Sequence, residues 1–198
     1  MSDKKELTIK DMVTIGVFSA IYCVFYMIGG VPFGINPALT FYQTMGSALL
    51  CGPVYMLLVA KVRKKWSISI LGMIVGILLF ITGMYWAMPL GCVVMGFVAD
   101  AVSSIGKYKS KKFDILSYMV FSVGGVGSFL VYFMNPNGWT QTMIEKGTDQ
   151  SYLATLNSVA EPWMLYVIII GTALSAAISG WIGSILLKKQ FEKAGIVD

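Results

Sequence analysis

The stretch that decides the fold is VIIIGTALSAAISGWIGSILL, residues 167–187, which contains no charged side chain. The hydrocarbon core of a bilayer is about 30 Å thick and takes about 20 helical residues to cross. The stretch is apolar on both faces, so it lacks the two-residue alternation of a membrane barrel strand. Only a helix can then satisfy its backbone polar groups in lipid. The stretch therefore predicts a transmembrane helix.

Five more stretches of the chain have the same character. Hydrophobic residues make up 57% of the 198 residues and charged residues 13%, which leaves too little polar surface for a water-soluble domain. The sequence thus predicts an all-α polytopic membrane protein, a six-transmembrane-helix bundle that forms a single membrane domain over residues 1–198. The predicted spans are residues 12–29, 39–60, 67–83, 87–105, 114–134 and 163–187.

The basic residues determine the predicted orientation, because cytoplasmic connections of membrane proteins retain Lys and Arg. Fourteen of the 15 basic residues precede the first span or follow the second, fourth and sixth, and only Lys146 lies opposite. We therefore expect a multi-pass protein with both termini in the cytoplasm. No stacking platform accompanies these residues, so we expect contact with membrane lipid and no binding of nucleic acid. The groups are Lys4, Lys5 and Lys10; Lys61, Arg63, Lys64 and Lys65; Lys107, Lys109, Lys111 and Lys112; and Lys188, Lys189 and Lys193.

Catalytic groups are scarce in the chain. It contains no histidine, which excludes His-dependent phosphatase sites, rhomboid-type sites and the HExxH metalloprotease site. Asp100 is the one carboxylate that we place inside a span, and its predicted role is a salt bridge to a loop lysine. No Walker A sequence occurs, so the chain is not expected to hydrolyse ATP. We expect no enzymatic activity, no cofactor and no metal site.

Three connections opposite the basic groups are rich in Tyr, Trp, Asn and Pro. They are VPFGINP at residues 31–37, GMYWAMP at residues 83–89, and a long segment at about residues 135–162. In the long segment, Leu153 and Leu156 belong to a helical repeat that predicts a short helix lying over the bundle.

These connections predict a small-molecule pocket, because such pockets combine aromatic walls with a few orienting polar groups. Aromatic residues also gather at membrane interfaces when nothing binds, so the amides are the stronger evidence. The candidate substrate-binding residues are Asn36, Tyr42, Gln43, Tyr85, Trp86, Tyr132, Asn135, Asn137, Trp139, Glu161 and Trp163.

Small residues at i, i+4 spacing predict close approach of helices in lipid. We expect most of them to pack inside the bundle, and part of the ladder in the last span to meet another subunit. The ladder is Gly171, Ser175, Ser179 and Gly183, and the first span carries the pair Gly16 and Ala20.

Four segments resemble a known family. LTIKDMVTIGVFSAIY (residues 7–22), GFVAD (96–100), GKYKSKK (106–112) and LLKK (186–189) are similar to the substrate-binding S components of energy-coupling factor (ECF) transporters. The closest resemblance is to the Trep_Strep (MptD-like) group, and length and span number agree. Where that group often has a Gly-His-Gly-Trp-like segment, this chain reads GMYW at residues 83–86, without the histidine.

The resemblance implies the substrate-specificity component of an ABC-type importer in a bacterial cell membrane. It would capture a vitamin-like micronutrient outside the cell, with a transmembrane coupling protein and two cytoplasmic ATPases as partners. The resemblance places Gly16 and Ala20 against the coupling protein. It places substrate at Asn36, Tyr85, Trp86, Asn135 and Trp163.

Two alternatives remain open at this point. One is an intramembrane enzyme that acts on a lipid or isoprenoid, with Asp100 and the basic connections handling phosphate. The other is a self-assembling channel or scaffold that uses the small-residue ladder of the last span.

Overall fold

The computed structural model describes residues 6–187, and these residues form helices joined by short connections, with no strand among them. Two short 3-10 turns, Thr40–Tyr42 and Gly124–Val126, lead directly into α2 and α6. The helices are α1 (Ile9–Gly34), α2 (Gln43–Val62), α3 (Ser67–Ile81), α4 (Ala87–Ile105), α5 (Lys111–Val123), α6 (Gly127–Met134), α7 (Pro136–Glu145), α8 (Gln150–Val159) and α9 (Met164–Leu186).

The prediction of an all-α membrane bundle is confirmed, but its third span is short. Five helical segments within residues 6–187 are long and apolar enough to cross a membrane: Ile9–Gly34, Thr40–Val62, Ala87–Ile105, Lys111–Met134 and Met164–Leu186. The predicted span at residues 67–83 is α3, an apolar helix of 15 residues. Such a helix rises about 22 Å, against about 30 Å of hydrocarbon.

The long helices and α3 form a closed ring. Helix α1 packs on α2, α2 on α9, α9 on α5, α5 on α4 and α4 on α3, and α3 closes the ring against α1. Three buried cysteines, Cys23, Cys51 and Cys92, lie in the core that this ring encloses, as free thiols. This placement agrees with their position in apolar runs of the sequence.

The small-residue ladder of α9 packs against α2. A Cβ at Gly171 would overlap the Met45 side chain, and one at Gly183 would lie 2.9 Å from Cα of Pro53. Between them, the Ser179 hydroxyl donates to the Leu49 carbonyl at 2.6 Å. These three ladder residues therefore pack against α2 inside the bundle.

The two ends of the bundle differ. One end, called the basic end, carries the connections at residues 63–66 and 106–110. There Thr8 and Asp11 form the capping box of α1, and Lys64 pairs with Asp11 at 2.6 Å. The predicted basic residues Lys4, Lys5, Lys188, Lys189 and Lys193 lie outside the described residues.

The opposite end is covered by α7 and α8, which we call the cover. Helix α8 is the short helix expected in the long segment, and its Leu153 and Leu156 are buried as predicted. Helix α7 was not predicted, although Asn135 as N-cap followed by Pro136 is a recognisable helix start.

Candidate ligand-binding site

A buried carboxylate holds the start of α3 at the basic end. Asp100 accepts hydrogen bonds from the backbone N–H groups of Trp66 at 3.1 Å and Ile68 at 3.0 Å. It also accepts the Tyr108 hydroxyl at 2.9 Å. Burial and the neighbouring carboxylate raise the pKa of Tyr108, which keeps this hydroxyl protonated as a donor. The predicted salt bridge from Asp100 to a loop lysine is wrong, because backbone and hydroxyl donors surround the carboxylate instead.

A second carboxylate is also buried at this end. Asp114, the first residue of the predicted fifth span, is 7% exposed and accepts the Ser103 hydroxyl at 2.6 Å. The prediction that Asp100 alone lies inside a span is therefore wrong. Because the predicted fifth span at residues 114–134 begins at Asp114, the sequence itself already placed a second carboxylate at the edge of a span.

The other end of α3 closes in a tight turn. Gly83 has a φ of 84°, and the N–H groups of Gly83 and Met84 bond back to the carbonyls of Phe80 and Leu79. This is the Schellman arrangement, in which glycine favours the left-handed conformation. Lys146 lies in the connection between α7 and α8. Its ammonium donates to the carbonyls of Gly83 and Met84, both at 2.9 Å.

A cavity of about 250 Å³ lies where α3 ends. It is bounded by the last turns of α1, the first turns of α2, the end of α3 and the start of α4, at the cover end of the bundle. Because α3 is short, α1 continues beyond it and the space beside α1 is left open. The lining residues are Tyr26, Met27, Gly30, Val31, Gly34, Ile35, Gln43, Ser47, Leu79, Thr82, Met84 and Met88.

The polar side chains of the cavity come from α1, α2 and the end of α3; they are Tyr26, Gln43, Ser47 and Thr82. Gln43 and Ser47 are one helical turn apart on α2, which places them on the same face. The Ser47 hydroxyl donates to the Tyr26 carbonyl at 2.7 Å, and the Tyr26 hydroxyl contacts the Met88 sulfur at 3.8 Å. The Gln43 side-chain amide makes no hydrogen bond within residues 6–187. It is therefore the polar group most ready to bind a ligand.

The electrostatic character of the cavity follows from its lining. None of the lining residues is Asp, Glu, Lys or Arg, and methionine thioethers at Met27, Met84 and Met88 form much of the wall. Burying an unpaired charge in such a site would be strongly unfavourable. Flexible, polarisable methionines adapt to ligands of different shape. The site fits a small uncharged molecule.

Four of the sequence-predicted residues come together elsewhere, where α7 of the cover meets the rest of the bundle. The ring centroids of Tyr85 and Trp86 are 5.8 Å apart, those of Tyr85 and Trp139 6.0 Å, and those of Tyr132 and Trp139 5.2 Å. Tyr85, Tyr132 and Trp139 are buried. Tyr85, Tyr132 and Trp139 thus pack against one another where the sequence predicted an aromatic pocket.

The remaining predicted residues lie apart from the cavity and the aromatic cluster. The Asn36 side chain accepts the Ala38 N–H within its own turn, and Asn135 caps α7. Trp163 is 54% exposed at the start of α9. Tyr42 is half-buried beside Gln43, and Asn137 and Glu161 are exposed. Of the predicted set, Gln43 is the residue that lines the cavity.

The sequence reasoning missed Tyr26, Ser47 and the three methionines. Tyr26 and Ser47 lie within apolar runs, where a polar side chain is itself a signal because lipid cannot satisfy it. Methionine in a membrane span carries no such signal, since it is an ordinary packing residue.

The cover is bonded to both rims of the cavity. On the α1 side, the Tyr152 hydroxyl donates to the Gly34 carbonyl at 2.6 Å and also contacts the Thr40 hydroxyl. On the α3 side, Lys146 bonds the carbonyl of Met84. Gly34 and Met84 both line the cavity. A movement of the cover would therefore displace both rims.

The first half of α1 presents small residues outward. A Cβ at Gly16 would meet no atom within 4 Å, and Ala20 is exposed one turn later. The larger neighbours Val13 and Val17 are exposed as well. Within the described chain nothing packs on this face.

Comparison with known proteins shows the family of the chain. Residues 9–193 match a family model described as "Hypothetical bacterial integral membrane protein (Trep_Strep)", a range that includes every helix from α1 to α9. No curated protein and no solved structure matches the chain.

Proposed function

The chain belongs to the Trep_Strep family of bacterial integral membrane proteins, and from this premise we propose that it is the substrate-specificity component of an ECF-type ABC importer. In this proposal it binds a vitamin-like micronutrient outside the cell. A separate transmembrane coupling protein and two cytoplasmic ATPases then drive delivery inward.

The observation that carries the proposal is that the two halves of α1 differ: one half lines the cavity and the other exposes small residues. Its second half forms a wall of the cavity, through residues from Tyr26 to Ile35. Its first half leaves Gly16 and Ala20 open on the outside of the bundle. Small residues allow close backbone approach in lipid, so this face suits a helix of a coupling protein. One rigid helix would link ligand binding to docking.

The distribution of charge supports the proposed orientation. Lys61, Lys65, Lys107 and Lys109 lie in or next to the connections of the basic end. Basic connections remain in the cytoplasm. The cavity and the cover then face outward, and the N-terminal end of α1 and the C-terminal end of α9 face inward.

The alternative of an enzyme that acts on lipid through Asp100 gains no support. Asp100 is 3% exposed, and its carboxylate oxygens already accept three hydrogen bonds from Trp66, Ile68 and Tyr108. A carboxylate occupied in this way is poorly placed to take part in phosphate chemistry.

The proposed docking face is tested by purifying the tagged protein from its native membrane. We expect a coupling protein and two ATPases to co-purify with the wild type. The double variant Gly16→Leu/Ala20→Leu should lose them, because leucine side chains would hold the partner helix away. Gly16 has space for a side chain, so the variant should keep the thermal stability of the wild type.

Ala101→Leu is the matched control, since Ala101 is an exposed small residue on α4 in the same half of the bundle. It should retain the complex. If the double variant also retains it, α1 is not the docking face. If the wild type captures no ATPase subunits at all, the importer role is wrong.

A further inference from the structure

The short α3 and its anchored start bear on the route by which a ligand reaches the cavity. Asp100 fixes the first N–H groups of α3 at the basic end. Trp66, just before α3, is 48% exposed, and the Lys65 ammonium lies 4.6 Å from its ring. Trp and Lys are typical of the membrane interface, so α3 begins at that boundary.

A helix that begins at one interface and rises about 22 Å ends about 8 Å short of the other interface. The last exposed residues of α3, Phe80 and Ile81, are 63% and 73% exposed and apolar. They are suited to lipid contact. The last turn of α3, and the part of the cavity beside Leu79 and Ser47, are thus at the depth of the hydrocarbon. They lie below the exposed Lys146 ammonium, which bonds the carbonyls of Gly83 and Met84.

The outer wall of the cavity has the same character. On α1, the lining residues Met27, Val31 and Ile35 are 39%, 55% and 74% exposed. These large apolar side chains continue the lipid-facing surface of α1 past the point where α3 stops. A mouth open to water would expose them unfavourably, whereas a mouth open to lipid would not.

On the side towards water, both rims of the cavity are bonded to the cover or its connection. Tyr152 bonds Gly34 on the α1 rim, and Lys146 bonds Met84 on the α3 rim. No residue of α7 or α8 lines the cavity itself, whereas the exposed apolar residues of α1 do.

We propose that the cavity opens sideways into the bilayer between α1 and the end of α3, and that its ligand is an uncharged, mainly apolar molecule that dissolves in the membrane. This inference rests on the proposed function only for the role of the ligand as a substrate. The Gln43 amide recognises one group of that ligand that both donates and accepts hydrogen bonds, because an amide offers both functions. A lipid acyl chain would fill the apolar wall but leave this amide unpaired.

The direction of the mouth is tested with a nitroxide at Thr82→Cys, a lining position at the end of α3. The three native cysteines are buried, so the label reports the introduced site. In lipid bilayers, we expect dissolved oxygen to enhance the spin relaxation of this nitroxide more than a water-soluble nickel chelate does. Ile178→Cys on the exposed face of α9 is the lipid control, and Ala154→Cys on the cover is the water control. Nickel-dominated relaxation at Thr82, as at Ala154, would overturn the sideways mouth.

The ligand class is tested with 4-tert-butylbenzamide and its charged counterpart 4-tert-butylbenzoate. The amide should raise the thermal unfolding midpoint of the protein in nanodiscs, and the carboxylate should not. Gln43→Leu should lower the affinity for 4-tert-butylbenzamide about tenfold, which is the loss expected for one buried hydrogen bond. If the amide has no effect on the wild type, or acts equally on Gln43→Leu, Gln43 does not recognise an uncharged ligand in this cavity and the inference fails. These results are independent of the co-purification of ATPases, so either proposal can fail alone.

Discussion

Asp100 and Lys146 bind opposite ends of the same short helix. The carboxylate accepts the N–H groups of Trp66 and Ile68 at the start of α3, and the ammonium donates to the carbonyls of Gly83 and Met84 just past its end. Their signs match the helix dipole, which favours negative charge at the N-terminus and positive charge at the C-terminus. Lipid offers no partners to terminal backbone groups. These two side chains therefore make a 15-residue helix possible at this place.

Removing the carboxylate should destabilise the bundle without removing the cavity. We expect Asp100→Ala to lower the free energy of unfolding by about 2–4 kcal/mol, because two N–H groups lose their acceptor. Asp100→Asn keeps one acceptor oxygen and should cost about half as much. Unfolding in mixed micelles measures both, with Ser104→Ala on the exposed side of α4 as the control. Ligand capture should persist in Asp100→Asn, whereas an enzyme that depends on Asp100 would lose turnover.

Removing the ammonium should act on the cavity rim. Lys146→Met leaves the carbonyls of Gly83 and Met84 without their donor, at a cost of about 1 kcal/mol for this exposed contact. We expect amide exchange at residues 83–86 to accelerate about fivefold, which is that energy expressed as a ratio. Lys146→Arg should exchange like the wild type, since it keeps the charge and the donors. Equal exchange in Lys146→Met and the wild type would show that the contact does not hold the rim.

The architecture follows from simple features of the sequence. Uncharged runs such as residues 167–187 predict spans because length and hydrophobicity alone satisfy the bilayer. The capping box of Thr8 and Asp11 and the buried Leu153 and Leu156 of α8 were equally predictable, because each depends on local spacing. Local patterns are what a single sequence displays.

The site was harder to predict, because it depends on a length mismatch between separate helices. The apolar run at residues 67–83 has nearly the length of a span, and only the turn at Gly83 shows that α3 ends early. The aromatic residues Tyr85, Tyr132 and Trp139 have the composition of a pocket but pack on one another. Whether rings enclose a ligand or fill a core is decided by tertiary packing, which residue types do not reveal.

Ser179 compensates for a proline in the neighbouring helix. Pro53 lacks an N–H, so the Leu49 carbonyl of α2 has no helical donor, and the Ser179 hydroxyl of α9 supplies one at 2.6 Å. We expect Ser179→Ala to lower the free energy of unfolding by about 1–2 kcal/mol, the cost of leaving the partly buried Leu49 carbonyl unpaired. Ser175→Ala, in the same ladder but only half-buried, should change it by less than about 0.5 kcal/mol. In a Pro53→Ala background the effect of Ser179→Ala should shrink, and an unchanged effect would contradict this role.

The cover should loosen in acid through its N-cap. Asp149 accepts the Ser151 hydroxyl and the N–H groups of Tyr152 and Ser151 at the start of α8. These hydrogen bonds, the hydroxyl one foremost, hold its pKa below the ordinary value of 3.8. The stabilisation is complete above pH 3.8 and is lost as the pH falls through the lowered folded pKa. We expect amide exchange at Ser151 and Tyr152, corrected for intrinsic rates, to accelerate only below that pH. Asp149→Asn retains a capping oxygen that does not titrate, so its exchange should be independent of pH in this range. A wild-type profile as flat as that of the variant would mean that the cap does not control the cover.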